Sequence, residues 1–438
     1  MRILVISQEV WRDDKNGGNV LSNIFSGIDA EFAQIYCSPG SPSNSICKKY
    51  YQMTDSMIIN NIIKKRNIGK ILSYINFPND DKKEIIAINE NKKFYNFFRK
   101  YRLESFLVGK ELLWSMSFWK NNQLKNFILD FNPDIIFAPC YASHFMLKID
   151  RYIAELTKKP MVSYISDDNY SLKQFRFSPV YWINRLVLRS NMRKTFKYYN
   201  LIYTMTEEQL KECKEAFNCN IKILKKGGDF TEVSNKGDIK GVIKLVYAGG
   251  IYLGRGKTLE KISDLIRELN KDEKKFSLDI YTGNELTKRQ KKKLNNGYDC
   301  NVHGLVDQKT LKEIYSNSHI ALHIEGLDLK NKLITRISFS TKIIDLLGSG
   351  CAVIAVAWKR HSGYTYLDKE DAAICVDSIT NLKEVLIRIS NNSNIIKEYI
   401  DKAIMCGMRN HDSSIIKKNI QKDFNKIYKS TVNESIEN

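Results

Sequence analysis

Short uninterrupted apolar runs recur along the chain, each followed by a turn cluster and then by a stretch with helical period. The first, RILVISQEV (2–10), carries five apolar residues and runs into DDKNGG, a turn cluster containing Gly17 and Gly18, after which NVLSNIFSGI reads as a helix. An apolar strand, glycines and a helix in that order open a parallel sheet buried on both faces. PDIIFAPC (133–140), PMVSYIS (160–166), YNLIYTM (199–205) and IKILKKGGD (221–229) repeat the theme, with helical stretches between several of them. Strands alternating with helices predict a doubly wound α/β sheet.

A polar stretch, TEVSNKGDIKG (231–241), interrupts this alternation, which then starts afresh with IKLVYAGG (243–250), FSLDIYTG (276–283), NVHGLV (301–306), HIALHIEG (319–326) and CAVIAVAW (351–358). Helices are predicted between them at 257–269, 307–317 and 341–347. Two Rossmann-like domains facing across a cleft are therefore expected, 1–230 and 231–438, the second ending in helices from about residue 380 and a frayed NESIEN terminus. The least regular region is 59–125, with a polar insertion at 79–93. Between 91 and 120 nine aromatics (Phe94, Tyr95, Phe97, Phe98, Tyr101, Phe106, Trp114, Phe118, Trp119) are interleaved with Lys and Arg.

Composition narrows the class. The 438 residues are 43% hydrophobic with only 22 Gly and 7 Pro, which excludes disordered and fibrous chains. No apolar run reaches the roughly 18 residues a membrane-spanning helix needs, and the start lacks a signal-peptide cleavage pattern. Nine scattered cysteines without a CxxC pair predict reduced, mostly buried thiols and a cytoplasmic location. No two histidines share a metal-ligand spacing, so no metal is expected.

Ligands of open α/β sheets bind beyond the carboxyl ends of the strands. After 243–250, Gly249 and Gly250 allow close backbone approach to an anion, and Arg255 and Lys257 add charge before a helix. The strict GxGxxG and Walker patterns are absent; a plain turn with solvated cations is the bland alternative. In RISFSTKIIDLLGSGCAVIAV (336–356), Ser338, Ser340 and Thr341 precede Lys342 and, one turn on, Asp345. Hydroxyls and a cation at a helix N-terminus suit a diphosphate. A carboxylate one turn later can accept two ribose hydroxyls. Taken alone, the same residues also make an ordinary N-cap with a surface ion pair. His303 and His323 read as packing residues, whereas His144, following the strand 133–140, is a candidate acceptor-side contact.

The order VYAGG with a following Arg, NVHGLVDQKTLKEIYSNSHIAL and FSTKIIDLLGSGCAVIA, preceded by ILVISQEV…NGGNV, PMVSYISDDN and YNLIYTMTEEQLKE…IKILKKGGD, resembles GT-B glycosyltransferases of the family 4 type that build bacterial surface polysaccharides. The resemblance covers roughly 1–50 and 130–380. It implies transfer of a sugar from a nucleoside-diphosphate donor, with retention and without a metal or other cofactor, to a glycan or lipid-linked acceptor. Carried over, it places Gly250, Arg255, Lys342 and the backbone at Ser340–Thr341 on the donor diphosphate, Asp345 on the ribose, and Gly17 and Gly18 close to donor and acceptor. It makes Asp167, which follows a Ser166 standing where the family has histidine, a catalytic candidate together with Arg255 and Lys342, and puts Asp168 on the acceptor side. The family's first glutamate is replaced by Ile337 and the second by Asp345; Glu325 is the substitute candidate facing the sugar. A nucleotide-sugar epimerase of the same fold, or a scaffold with a degenerate site, are the alternatives.

The net charge of +20 needs a partner or a solvated face. Residues 170–199 hold seven Lys/Arg and no Asp or Glu, and Arg185, Arg189, Arg193 and Lys197 recur every four residues along an expected helix 181–199. With the stretch 91–120 they predict a peripheral contact with an anionic membrane on the cytoplasmic side. Nucleic acid, the rival use of such charge, lacks any recognition motif here.

Overall fold

The computed structural model describes residues 1–13, 16–73, 104–230 and 241–436, so the insertion 79–93, Phe94, Tyr95, Phe97, Phe98, Tyr101 and the polar stretch 231–240 lie outside the described residues. The first half is an eight-stranded sheet of β1 (Arg2–Ser7), β2 (Glu31–Tyr36), β3 (Lys49–Gln52), β4 (Lys70–Ser73), β5 (Ile135–Pro139), β6 (Met161–Ile165), β7 (Tyr199–Thr204) and β8 (Ile221–Ile223). Their spatial order is β4-β3-β2-β1-β5-β6-β7-β8, parallel except for β4 against β3. The second half is an all-parallel sheet of β9 (Ile243–Ala248), β10 (Phe276–Tyr281), β11 (Cys300–His303), β12 (Ile320–Ile324), β13 (Ala352–Val356) and β14 (Ile374–Val376), ordered β11-β10-β9-β12-β13-β14. The expected pair of doubly wound, Rossmann-like halves is thus present.

The strands are apolar without alternation because helices cover both faces. In β1, Leu4 and Ile6 enter one core while Ile3 and Val5 enter the core on the other face. β13 divides likewise, Ala352, Ile354 and Val356 against Val353 and Ala355. Polar side chains start the helices where the sequence breaks: Thr54, Asn121, Ser178, Thr206, Asp307 and Asp328 each accept a hydrogen bond from the amide three residues further on, inside the first turn.

Two elements depart from expectation. The predicted helix 181–199 spans Pro179–Phe196, opened by Ser178 and a proline in its first turn, and Tyr199 already belongs to β7. The last helix, Ser413–Ile436, follows the second half in sequence but packs into the core of the first. Its Phe424 ring lies 6.2 Å from Phe25 and 6.4 Å from Phe137. Asp423 accepts from the Tyr203 hydroxyl at 2.8 Å and pairs with Lys222. The two passages between halves run side by side: Gly228 N–H donates to the His411 carbonyl at 2.8 Å, and Ser413 Oγ to the Gly228 carbonyl at 2.9 Å. Among the described residues, no helix is long and apolar enough to cross a membrane.

Candidate functional site

Both strand orders reverse direction at a point where neighbouring loops part: between β1 and β5 in the first sheet and between β9 and β12 in the second. The carboxyl ends at these points face one another across a cleft of about 910 Å³. Glu9, Tyr141, Ser166 and Asp167 line it from one side; Tyr252, Arg255, Glu325, Ser338, Ser340, Thr341, Lys342, Asp345 and His361 line it from the other.

Beyond β9 the chain turns through Gly249 and Gly250. A side chain at Gly249 would place its Cβ 2.3 Å from the Lys342 ammonium, so glycine is what lets that lysine cross the loop and donate to the Ala248 carbonyl at 3.2 Å. Gly254, at φ +82°, caps the helix Arg255–Leu269 in a left-handed conformation. Arg255 opens that helix and grips Glu325, at the end of β12, in a two-point bridge: Nε to Oε2 3.1 Å and Nη2 to Oε1 2.7 Å. Burial alone would raise the Glu325 pKa, but Arg255 outweighs it and the carboxylate stays below its ordinary range. Behind it, His323 Nε2 stands 4.0 Å from Glu325 Oε1 without a hydrogen-bond partner, and burial brings its pKa down to about 4, so the ring is neutral. Water reaches Lys342 from the cleft, yet its surroundings remove enough solvation to lower its pKa, and the nearby Arg255 adds to the shift.

The loop before Lys342 is anchored on the opposite half. Arg336 holds Glu212 through both terminal nitrogens at 2.6 and 2.8 Å and reaches Asp168 at 3.4 Å. Ser338 Oγ donates to Asp167 Oδ1 at 3.0 Å. Asp345, one turn into the short helix Lys342–Leu347, is paired with Lys226 at 3.1 Å.

The structure therefore brings Asp167, Arg255, Glu325, Ser340, Thr341, Lys342 and Asp345 to one cleft, with Gly250 in the loop that carries Tyr252 and Arg255. Gly17 and Gly18 sit in the first turn of the helix Asn16–Phe25 rather than in a turn ahead of it; Val20, Leu21 and Ile24 of that helix line the cleft. Two expected acceptor-side residues lie elsewhere. His144 is fixed between helices, Nε2 2.8 Å from Asn184 Oδ1 and Nδ1 3.1 Å from Asn191 Nδ2. Asp168 is turned away from the cleft into a buried pair with Arg185 at 3.1 Å, and also accepts from the Ser171 amide. Sequence reasoning missed Lys226 and His361, and it placed Ser338 at the diphosphate rather than against Asp167; the KKGGD run before the crossover was the available signal for the lysine. Among the described residues no three His, Cys, Asp or Glu side chains are grouped as metal ligands.

No family model matches the sequence, and neither does any curated protein. Solved structures do match in shape. HepE (Alr3699) from Anabaena, crystallised with UDP, superposes with a TM-score of 0.63 at 11% identity, covering 97% of this chain and 100% of its own. Sucrose-phosphate synthase from Thermosynechococcus elongatus gives 0.64 at 10% identity over 98% and 99%. The trehalose-6-phosphate synthase OtsA gives 0.60 at 11% identity over 98% and 99%. The chain has the GT-B fold over essentially its whole length.

Proposed function

We propose that a chain of this fold, with two cations and a carboxylate arranged as above, is a glycosyltransferase that moves a sugar from a nucleoside-diphosphate donor to a glycan or lipid-linked acceptor. The observation that carries this reading is the meeting of Arg255 and Lys342 beneath Asp167 and Ser338, where the open ends of the two sheets face each other. The fold adds support, since HepE was crystallised with UDP, with UDP-glucose, and with UDP and glucose.

In this reading the bond between the sugar's anomeric carbon and the diphosphate oxygen breaks while the acceptor oxygen bonds to that carbon, with retention of configuration. The acceptor's proton leaves with the diphosphate. Arg255, Lys342 and the amides at Ser340–Thr341 stabilise the negative charge that develops on the leaving group, so the proposal gives no role to a metal or other cofactor. Glu325 holds the Arg255 fork in one orientation. Asp345 takes the ribose hydroxyls once Lys226 swings to the phosphate side. Asp167 directs the acceptor hydroxyl. A closed cleft keeps water from competing as acceptor. A lipid-linked acceptor of a surface polysaccharide would bring the protein to the cytoplasmic face of a membrane.

The test is a thermal-shift panel of UDP, GDP, ADP and CMP on wild type and Lys342→Ala. A ligand at a hundred times its Kd adds about 2.7 kcal/mol of stability. One diphosphate should raise the melting temperature of the wild type, and the variant should lose most of that rise. A folded wild type that responds to none of them sinks the proposal.

A further inference from the structure

We propose that the outer face of the first half, formed by the helices Glu104–Met116 and Pro179–Phe196 and the loops beside them, seats the protein on an anionic lipid bilayer. The proposal deepens the lipid-linked-acceptor reading and rests on it for its purpose, while the surface is argued from its own residues.

Of the regular cations of the second helix, expected outside, Arg185 is turned inward, Arg189 is half-buried and Arg193 stays exposed against Tyr170. Arg185 is buried and donates to the Ser171 and Asp168 carbonyls at 3.0 and 2.8 Å. The Arg189 guanidinium lies 4.0 Å above the Tyr170 ring, and Arg193 Nε donates to the Tyr170 hydroxyl at 2.7 Å. Ahead of Arg189 and Arg193 the outward face is apolar: Val180, Ile183, Leu186 and Val187 on the helix, preceded by Phe175 and by Phe177, which is 86% exposed. The helix Glu104–Met116 packs on this one and presents Leu112 and Met116, followed by Phe118 at 79% exposure. A solvated surface has no use for so many large apolar side chains on two adjoining helices.

Charge identifies the occupant. No Asp or Glu occurs between Asp168 and Glu207. On the neighbouring helix Glu111 is directed inward, capping the helix His144–Thr157 through the Ser143 hydroxyl and the His144 and Phe145 amides. Lys194 and Lys197 stay exposed at the end of the apolar face. Beside Phe118, Lys120, Lys148 and Arg151 border a surface pocket of about 470 Å³, whose one acid, Glu155, accepts from the Tyr198 hydroxyl. Apolar side chains flanked by cations suit the boundary between acyl chains and anionic headgroups. A second copy of the chain would set these cations against their own kind. The face also joins the cleft: the segment from Asp167 reaches Phe175 within eight residues, and Gln174 Nε2 ties it to Asp168 at 3.1 Å.

The experiment is flotation with vesicles of phosphatidylcholine alone or with one-third phosphatidylglycerol, at low and at high salt. It compares wild type, the double variant Ile183→Glu/Leu186→Glu, and the control Met405→Glu, which places a glutamate at an exposed apolar position in the other half. Wild type and control should bind the anionic vesicles, more weakly at high salt, and the double variant at least tenfold less, all three keeping the same nucleoside-diphosphate thermal shift. The idea is overturned if wild type ignores anionic vesicles at low salt, or if the double variant binds them equally. It is also overturned if gel filtration shows a wild-type dimer that the double variant dissolves. Vesicle binding by a protein that responds to no nucleoside diphosphate would support the surface while removing the transferase.

Discussion

Arg255 and Glu325 neutralise each other within a buried two-point bridge, so of the two cations proposed to meet the diphosphate it is Lys342 that brings a net positive charge. Arg255 then contributes aimed N–H donors rather than charge, and exchanging it for lysine is not conservative because the fork is lost. Lys342→Ala should lower kcat by about 10²–10³, the usual cost of removing one group that stabilises developing charge. The pH profile gives a sharper check. Burial lowers the Lys342 pKa, and the proposed role needs the ammonium, so activity should fall on the alkaline side earlier than an ordinary lysine would impose. Lys342→Arg should move that limb to higher pH; an unmoved limb would show that another group titrates there. Lys342 and Asp345 were legible in the sequence because a helix start and a one-turn spacing are local facts. Their partners were not: Glu325 is 70 residues from Arg255, and Lys226 is 119 from Asp345. A bridge between distant residues leaves no local pattern.

Elements follow the same division. The strands and most helices lie where apolar runs and cap residues place them, as with YNLIYTM and β7, or 307–317 and the helix Gln308–Ser316. The helix Pro179–Phe196 was found, and Leu188, Met192 and Phe196 of its apolar stripe are buried as that stripe implies, but the burial of Arg185 beside them was not foreseen. Four-residue spacing puts Arg185, Arg189 and Arg193 on one stripe, and only the tertiary positions of Asp168 and Tyr170 decide that Arg185 is buried while Arg189 and Arg193 are held against a tyrosine. The helix Ser413–Ile436 is amphipathic by period, yet nothing local says that its apolar face belongs to the first half. That face is structural: Phe424 is fully buried among Phe25, Phe137 and the residues of β1. Phe424→Ala should cost about 3–5 kcal/mol in a denaturant titration, a loss expected for a large aromatic removed from a filled core. A loss below 1 kcal/mol would mean that the helix docks only loosely.

At the scale of the molecule, the two halves meet through an ionic clamp beside the cleft. Arg336 joins Glu212 and Asp168, Thr365 Oγ1 donates to Glu208 at 2.6 Å, and Lys369 pairs with Glu207 at 2.7 Å. The Lys369 pair is exposed and contributes little. The Arg336 bridge is half-buried and two-pronged, and it sits two residues from the Ser338–Asp167 contact, so it sets the distance between the donor-side loop and the acceptor-side carboxylate. Glu212→Ala should therefore open the cleft, raising the radius of gyration in solution scattering and raising KM more than it lowers kcat. Unchanged scattering with a fallen kcat would assign Glu212 to the chemistry instead of to closure. The two-sheet architecture itself was readable from the restart of alternation after residue 241, since each sheet is written in one continuous stretch of chain.

The returning last helix has a consequence for how the molecule is made. Its β8 is finished at residue 223, yet the first half lacks Ile420 and Phe424 until the final helix emerges, about 200 residues later. At 5–20 residues per second the ribosome needs roughly 10–40 s for that interval. During it the second half can fold to completion while the first waits with Phe25 and Phe137 uncovered. The half translated first is the half completed last, and a nascent chain stalled before residue 413 would present that open aromatic seam to chaperones.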